Sequence, residues 1–226
     1  VLYVSLEPCN HFGKTPPCTE LIIKHRIPKV VIGSLDSNPL VAGKGIKFLK
    51  DAGIKVVSGI LEKECRELNK RFYQFYENKL PYIILKWAQS NDHKISAEDQ
   101  FSIKISNDIS DRLVHKWRSE EAAIMVGTNT ALSDNPSLTT RLWEGNNPIR
   151  IVIDRFLKIP AGNKLLDKTV QTYIINTIRD DVDGNNLYCK VPGNENMIPD
   201  ILNLLYQRNI TSLFVEGGAH LLSKFI

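Results

Sequence analysis

Short apolar runs without polar alternation, each followed by a segment of helical spacing, constrain the fold of this chain more than any other feature. Lys29–Ser34 (KVVIGS) is one such run, and AAIMVG, IRIVID and QTYIIN follow later. Uninterrupted apolar runs are typical of strands buried on both faces, as in parallel sheets. Because parallel strands need a crossover connection, usually a helix, the alternation predicts an α/β fold with a mostly parallel sheet.

The pattern breaks once, between Asn78 and Pro81, before the strand-like run PYIILKWAQS begins. This break predicts two domains, residues 1–79 and residues 80–226. The chain starts inside the apolar run VLYVSL, without a Met, and stops inside the helical pattern AHLLSKFI, without a helix terminator. We therefore expect a fragment that is truncated at both ends.

Charge and cysteine content exclude several classes of protein. The formal net charge is only +4 over 226 residues, whereas a general nucleic-acid binder normally carries a larger basic excess. Four cysteines are too sparse for a secreted domain held by disulfides, and no apolar run is long enough to span a bilayer. The sequence predicts a cytoplasmic protein that acts on a small molecule and binds neither nucleic acid nor membrane.

Two cysteines, Cys9 and Cys18, flank the loop NHFGKTPP at the start of a predicted helix. Such a position lowers a thiol pKa and suits thiolate coordination of Zn²⁺. From spacing alone, two unpaired cysteines explain the pattern equally well, and His11 between them leaves a His–Cys–Cys set open. Cys65 and Cys189 have no supporting spacing, and we interpret them as structural.

The whole segment LEPCNHFGKTPPC resembles the zinc loop of the riboflavin-biosynthesis pyrimidine deaminases, which have the cytidine-deaminase-like αβα fold. The resemblance implies that Cys9 and Cys18 bind zinc, while a third ligand and a catalytic Glu come from a His-x-Glu motif upstream of Val1. It implies hydrolytic replacement of an exocyclic amine on a pyrimidine ring by a zinc-activated water. No catalytic residue is identified within the fragment, so we expect it not to deaminate. The implied substrate contacts are His11, Lys14, Thr15, Asp36 and Asn38.

From Pro81 onward, PYIILKWAQSNDHKIS, HKWRSEEAAIMVGTNTALSDNPSLTTR, NPIRIVID and LFVEGG resemble the riboflavin-pathway reductases, which share the dihydrofolate-reductase-like fold. The resemblance implies NADPH-dependent reduction of the ribosyl group of a phosphoribosylamino-pyrimidine to ribityl. The implied substrate-binding residues are Ser102, Arg118, Leu138, Arg141 and Glu216. The implied cofactor-binding residues are Ala88, Thr130, Asp134, Arg155, Gly218, Ala219, His220, Leu221, Leu222, Ser223 and Lys224. His93 and Lys104 depart from the family pattern, and we expect both to affect cofactor geometry.

The residues themselves support ligand binding in the second domain. The hydroxyl-rich loop that ends at Arg141 can satisfy ribose hydroxyls and phosphates, although a solvated surface loop has the same composition. Gly217 and Gly218 follow a strand and open a helix, which lets the backbone approach a phosphate. Arg155 ends the IRIVID strand, and we predict that it contacts the 2′-phosphate of NADPH.

Three alternatives remain open on this sequence. The chain could be a reductase alone, with a degenerate deaminase domain. It could be a nucleic-acid or nucleoside deaminase with an unrelated second domain, which the long loop between the cysteines disfavours. It could be a zinc-stabilised binding module without enzymatic activity. The family resemblance also makes a homodimer through the reductase domain plausible.

Overall fold

The computed structural model describes residues 1–13, 15–95 and 105–226. Contacts between backbone positions divide the chain into two compact units, Val1–Lys79 and Leu80–Ile226. Each unit is described by itself below.

The first unit is a small parallel α/β layer. Its strands are β1 (Leu2–Leu6), β2 (Lys29–Ser34) and β3 (Lys55–Ser58), hydrogen-bonded in that order and parallel throughout. Its helices are α1 (Cys18–Lys24), α2 (Lys44–Asp51), α3 (Glu62–Leu68) and α4 (Lys70–Asn78). The buried residues of its core are Ile22, Val30, Ile32 and Leu49.

Helices α3 and α4 follow each other directly along the chain and are separated at Asn69. The Asn69 side chain donates to the carbonyl of Cys65 at 2.8 Å and to the Ser5 hydroxyl at 3.3 Å. A side-chain amide that bonds nearby backbone competes with helix continuation, and such bonds bend or interrupt helices.

The second unit contains a seven-stranded sheet. Its strands are β4 (Tyr82–Leu85), β5 (Ala123–Gly127), β6 (Ile149–Ile153), β7 (Thr172–Asn176), β8 (Asp181–Asp183), β9 (Asn186–Lys190) and β10 (Ser212–Val215). Its helices are α5 (Asp108–Glu120), α6 (Thr128–Asp134), α7 (Ile198–Gln207) and α8 (Ala219–Leu222), with a 3₁₀ turn at Lys164–Leu166.

The strand order is β4-β10-β5-β6-β7-β9-β8, and every neighbouring pair is parallel except β8 with β9. The prediction of an α/β fold with a mostly parallel sheet is therefore confirmed. The last strand, β10, inserts between β4 and β5. As a result, the carboxyl ends of β10, β5 and β6 lie side by side, and the residues that follow these strands meet at one edge of the sheet.

Side chains from both faces of this sheet are buried, which accounts for the uninterrupted apolar runs. In β10, Leu213 and Val215 belong to a cluster that includes Ile201 and Leu205 of α7, whereas Phe214 belongs to the cluster on the opposite face. Helix α5 begins where the side chain of Asn107 accepts from the backbone N–H of Ser110 at 2.9 Å, a normal N-cap.

The antiparallel β8–β9 hairpin was not predicted from the sequence. All three residues of β8 are exposed, so the strand has no apolar pattern. The available signal was Gly184-Asn185, the two residues between the strands, and Gly184 at the first turn position has the positive φ of 62° that a tight hairpin turn requires there. Among the described helices, none combines the length and the apolar composition needed to cross a bilayer.

Candidate functional site

A pocket of about 320 Å³ lies at the carboxyl edge of the second sheet, where β5, β6 and β10 end. In parallel α/β sheets this edge is the usual place for ligands, and the volume lies within the range of small-molecule sites. Seven of the predicted cofactor residues line the pocket: Thr130, Arg155, Gly218, Ala219, His220, Leu221 and Lys224.

Gly217 and Gly218 directly follow β10 and line one side of the pocket, which is called the glycine wall below. A Cβ at Gly217 would lie 3.1 Å from three atoms of Val126, and a Cβ at Gly218 would lie 3.1 Å from the Thr130 hydroxyl oxygen. Gly218 also has φ 54° and ψ 134°, a conformation that side chains strongly disfavour. The lack of side chains lets the backbone lie close to Val126 and Thr130, and both glycines line the pocket.

Arg155 lines the pocket, and one of its side-chain N–H donors is buried without a hydrogen-bond partner in the described part of the chain. Its Nη2 donates to the carbonyl of Gly193, and its guanidinium lies 5.3 Å from the centre of the Phe156 ring. Its Nε is buried and has no hydrogen-bond partner within the described part of the chain. Because buried donors are normally satisfied, this atom is a candidate for a bond to a ligand oxygen.

Asp154, the neighbour of Arg155, has a structural role instead. Its two carboxylate oxygens accept from the backbone N–H groups of Lys158 and Ile159, both at 2.9 Å. The carboxylate thus fixes the turn that follows β6 and the position of Arg155 within it.

Four further residues predicted to bind the cofactor are not among those that line the pocket. Ala88 lies half-buried just beyond β4, and Asp134 is exposed at the end of α6. The Leu222 side chain is in the core, and the exposed Ser223 hydroxyl donates to the carbonyl of His220 at 3.0 Å. For these four, cofactor contact stays a prediction.

A second group of predicted residues gathers around an ion pair between Arg118 of α5 and Glu216, which follows β10. Arg118 Nε donates to Glu216 Oε1 and Nη2 donates to Oε2, each at 2.7 Å. The two side chains are only 11% and 8% exposed, so this bidentate pair is little screened by water. Arg118 Nη1 also donates to the carbonyl of Thr139 at 3.2 Å.

Arg141 lies at the same place. Its Nη1 donates to the Thr139 hydroxyl at 3.0 Å, so both arginines contact one threonine. Within the described residues Arg141 forms no ion pair, and it is exposed. Leu138 is only 2% exposed, with its side chain in the core and φ 52°, and substrate contact by this residue stays a prediction. The structure brings together Arg118, Arg141 and Glu216, whereas Ser102 and Lys104 lie outside the described residues.

His115 belongs to this group and was missed by the sequence reasoning. The residue is 5% exposed, and its Nδ1 accepts the backbone N–H of Arg141 at 2.9 Å. Burial, followed by the nearby charges of Arg118 and Arg141, lowers the pKa of His115. The available signal was its spacing, since His115 and Arg118 are three positions apart and share one face of a helix.

In the first unit, Cys9 and Cys18 lie next to each other. The backbone N–H of Cys18 donates to Cys9 Sγ at 3.4 Å, and burial, then the Cys9 thiol, raises the pKa of Cys18. The described residues contain no group of three or more His, Cys, Asp or Glu side chains placed to hold a metal. Because structural zinc takes four ligands and catalytic zinc three from the protein, the described residues alone do not support a zinc site.

The remaining contacts predicted for the first unit surround Glu7, which the sequence reasoning did not single out. Glu7 is buried and accepts the backbone N–H groups of Asp36, Gly43 and Ile46 at 3.3, 2.9 and 3.0 Å. Asp36 accepts the N–H of Asn38 at 2.6 Å.

Burial raises the pKa of Asp36, the hydrogen bond from the backbone N–H of Asn38 lowers it, and Glu7 raises and His11 lowers it to smaller extents. His11 therefore lies near Asp36, and its Nδ1 is buried without a partner among the described residues. Thr15 is exposed and Lys14 lies outside the described residues.

A mostly parallel sheet, with a glycine-lined pocket and a pair of neighbouring arginines at its carboxyl edge, defines the second unit as an α/β domain with a candidate ligand site. Residues 81–226 match the family model of the RibD C-terminal domain. The chain belongs to this family.

Relatives resemble the chain over both units. Riboflavin biosynthesis protein RibD of Aquifex aeolicus is 40% identical over 100% of this chain, and that of Bacillus amyloliquefaciens is 42% identical over 100%. The chain spans only 65% and 63% of the length of these two proteins.

Solved structures extend the likeness to three dimensions. A Thermotoga maritima protein described as a diaminohydroxyphosphoribosylaminopyrimidine deaminase/5-amino-6-(5-phosphoribosylamino)uracil reductase has a TM-score of 0.86 and 36% identity, over 99% of this chain and 63% of its own. Acinetobacter baumannii RibD has a TM-score of 0.88 and 32% identity, over 99% of this chain and 64% of its own.

Proposed function

We propose that the second unit is an NADPH-dependent reductase of riboflavin biosynthesis, which converts the ribosylamino group of a phosphoribosylamino-pyrimidine to a ribitylamino group. Membership of the RibD C-terminal domain family supports this proposal. The observation that carries it is the pocket at the carboxyl edge, which combines the bare backbone of Gly217 and Gly218 with the unpartnered Nε of Arg155.

The residues present fit a nicotinamide dinucleotide. Hydroxyls of Thr128 and Thr130 and the glycine wall suit ribose and phosphate groups, while Arg155 offers a cationic donor for a phosphate oxygen. When bound, NADPH supplies a hydride to C1′ of the substrate, where the C1′–O4′ bond breaks and a proton completes the new hydroxyl at O4′. The chain binds and orients the two reactants.

The arginine cluster suits the substrate end of this site. Glu216 neutralises Arg118 through their bidentate pair, so Arg141 is left as the cation of the cluster that can bind the substrate phosphate. Arg118 and Glu216 instead hold α5 to the end of β10, and the remaining donors of Arg118 can meet a ring carbonyl.

The test is to titrate the 226-residue chain with NADPH and with NADH and to measure each dissociation constant from the fluorescence of the cofactor. We expect Arg155→Ala to weaken NADPH by about tenfold and NADH by less than about twofold, since a charge-assisted hydrogen bond to a phosphate contributes roughly 1.5–3 kcal/mol. Arg179→Ala is the matched control, because Arg179 pairs with Asp181 in an exposed ion pair outside the pocket lining. Equal loss of both cofactors would refute the role of Arg155, and no binding of either by the unaltered chain would refute the reductase.

A second candidate function, zinc-dependent deamination by the whole protein, rests on the adjacency of Cys9 and Cys18. Two neighbouring thiols supply two of the donors that zinc requires, and the others must come from outside the described residues. Co²⁺ titration tests the assignment, with loss of the thiolate charge-transfer band expected for Cys9→Ser and no change for the control Cys65→Ser. We expect no ammonia release by the 226-residue chain, and deamination by this chain would contradict the ligand assignment.

A further inference from the structure

The short segment 137–141 has no regular secondary structure, yet separate partners hold it along its length. The carbonyl of Ser137 accepts from Arg150, the Leu138 side chain is buried, and the carbonyl of Thr139 accepts from Arg118. Because a segment without ladder hydrogen bonds depends on such single contacts, each contact determines where the residues after it lie.

Arg141 is held through its backbone by His115 alone among the hydrogen bonds of the described residues. The N–H of Arg141 donates to His115 Nδ1 at 2.9 Å. Since Nδ1 accepts, the ring is neutral and carries its proton on Nε2. The histidine lies in the second turn of α5, a regular helix, and the residue is almost fully buried. The ring therefore provides a fixed acceptor for the backbone N–H of Arg141.

The charges around His115 favour this state. Arg118 and Arg141 oppose a third positive charge at the ring, while Glu216 and Asp111 favour it less strongly. Glu216 is already bound to Arg118 on both oxygens. The ring thus stays an acceptor for Arg141 and does not become a competing cation for a bound anion.

We propose that His115 is a positioning residue that holds the backbone of Arg141, so that its guanidinium meets the phosphate of the substrate. The proposal rests on the reductase function above and adds a residue that acts only through Arg141. It predicts that removal of the Nδ1 acceptor weakens phosphate binding selectively. Cofactor binding at the glycine wall stays unchanged.

The test compares two amides at one position. His115→Asn places Oδ1 where Nδ1 lies, whereas His115→Gln moves the amide one bond further, toward the place of Nε2. Ribose 5-phosphate is the probe, titrated by calorimetry into the 226-residue chain, with NADPH binding measured in parallel. We expect His115→Gln to weaken ribose 5-phosphate by about tenfold and His115→Asn by less than about threefold, as one hydrogen bond's contribution suggests.

Arg141→Ala should weaken ribose 5-phosphate at least as much as His115→Gln, and the double variant should be no worse than Arg141→Ala, because the two residues act as a unit. Equal losses for Asn and Gln, additive losses in the double variant, or no binding of ribose 5-phosphate by the unaltered chain would each overturn the proposal. The proposed reductase function is tested separately by NADPH binding. If the chain binds ribose 5-phosphate in a His115-dependent way but does not bind NADPH, the reductase function is refuted and the positioning role of His115 stands.

Discussion

The Arg118–Glu216 ion pair gives the sharpest prediction of stability for the second unit. Both side chains are about nine-tenths buried and the pair is bidentate. Replacing Glu216 by Leu leaves the guanidinium buried without its counter-ion, and breaking a buried pair in this way costs about 3–5 kcal/mol. For a unit of this size, that loss lowers the melting temperature by about 6–20 °C.

A double variant that removes both charges separates the cost of one unpaired buried charge from the net contribution of the ion pair to stability. Arg118→Met keeps much of the side-chain volume and removes the charge, so Arg118→Met with Glu216→Leu should cost no more than about 2 kcal/mol. The double variant should therefore be more stable than Glu216→Leu alone by at least about 1–3 kcal/mol, as expected for two residues in direct contact. The exposed pair Arg179–Asp181, with side chains 49% and 46% exposed, is the matched control, and its loss should cost less than about 1 kcal/mol.

Tryptophan fluorescence during urea unfolding measures these values in the second unit alone. The chain has three tryptophans, Trp87, Trp117 and Trp143, and all lie beyond residue 80. Trp117 is next to Arg118 and its ring centre lies 6.2 Å from that of Phe214, so the probe reports on the packing beside the pair. Single variants that cost no more than the exposed control pair would show that the attribution of stability to burial is wrong.

Three further outcomes follow from single groups. First, burial, followed by the charges of Arg118 and Arg141, lowers the pKa of His115. The unfolded chain therefore binds the proton more tightly than the folded chain. The contribution of His115 to the free energy of unfolding is complete above the ordinary histidine pKa and is lost as the pH falls toward the lower pKa of the folded state. Urea unfolding at stepped pH should show this slope in the unaltered chain and a smaller slope in His115→Asn; equal slopes would contradict it. Second, Gly218→Ala forces a side chain to φ 54° and to 3.1 Å from the Thr130 hydroxyl, so NADPH should bind about tenfold more weakly, whereas the control Gly162→Ala, which meets nothing within 4 Å, should bind normally. Third, Glu7→Leu removes the acceptor of three backbone N–H groups, and amide hydrogen exchange at Gly43 and Ile46 should accelerate by at least about tenfold, since unsatisfied buried donors cost about 1–3 kcal/mol each; unchanged exchange at both would disprove the role of Glu7.

The sheet could be predicted from the sequence, because strands buried on both faces must be apolar throughout. Runs such as those of β5, β6 and β10 record that burial directly. The β8 strand has exposed side chains and pairs only through its backbone with β9, so its hydrophobic pattern carries no signal. A strand at the sheet edge is in general invisible to this kind of reasoning unless its turn is noticed.

Some polar residues of the candidate sites could likewise be predicted from the sequence, and others could not. Arg118, Arg141 and Glu216 could be named because the motifs that contain them resemble a family. His115 and Glu7 act on backbone N–H groups, of Arg141 in one case and of Asp36, Gly43 and Ile46 in the other. Every residue except proline offers such a group, so the partners leave no trace in the residue types, and only the fold shows which ones meet.

The strand order explains why the candidate site depends on residues so distant in sequence. Because β10 inserts between β4 and β5, Glu216 reaches Arg118 across 98 positions, and Gly217 and Gly218 reach Val126 and Thr130. The wall of the pocket and the counter-ion of the arginine cluster are both supplied by the turn that follows one central strand. Three consecutive residues that directly follow a central strand, Glu216, Gly217 and Gly218, thus connect the proposed cofactor end with the proposed substrate end, and transfer between two bound molecules depends on such fixed relative placement.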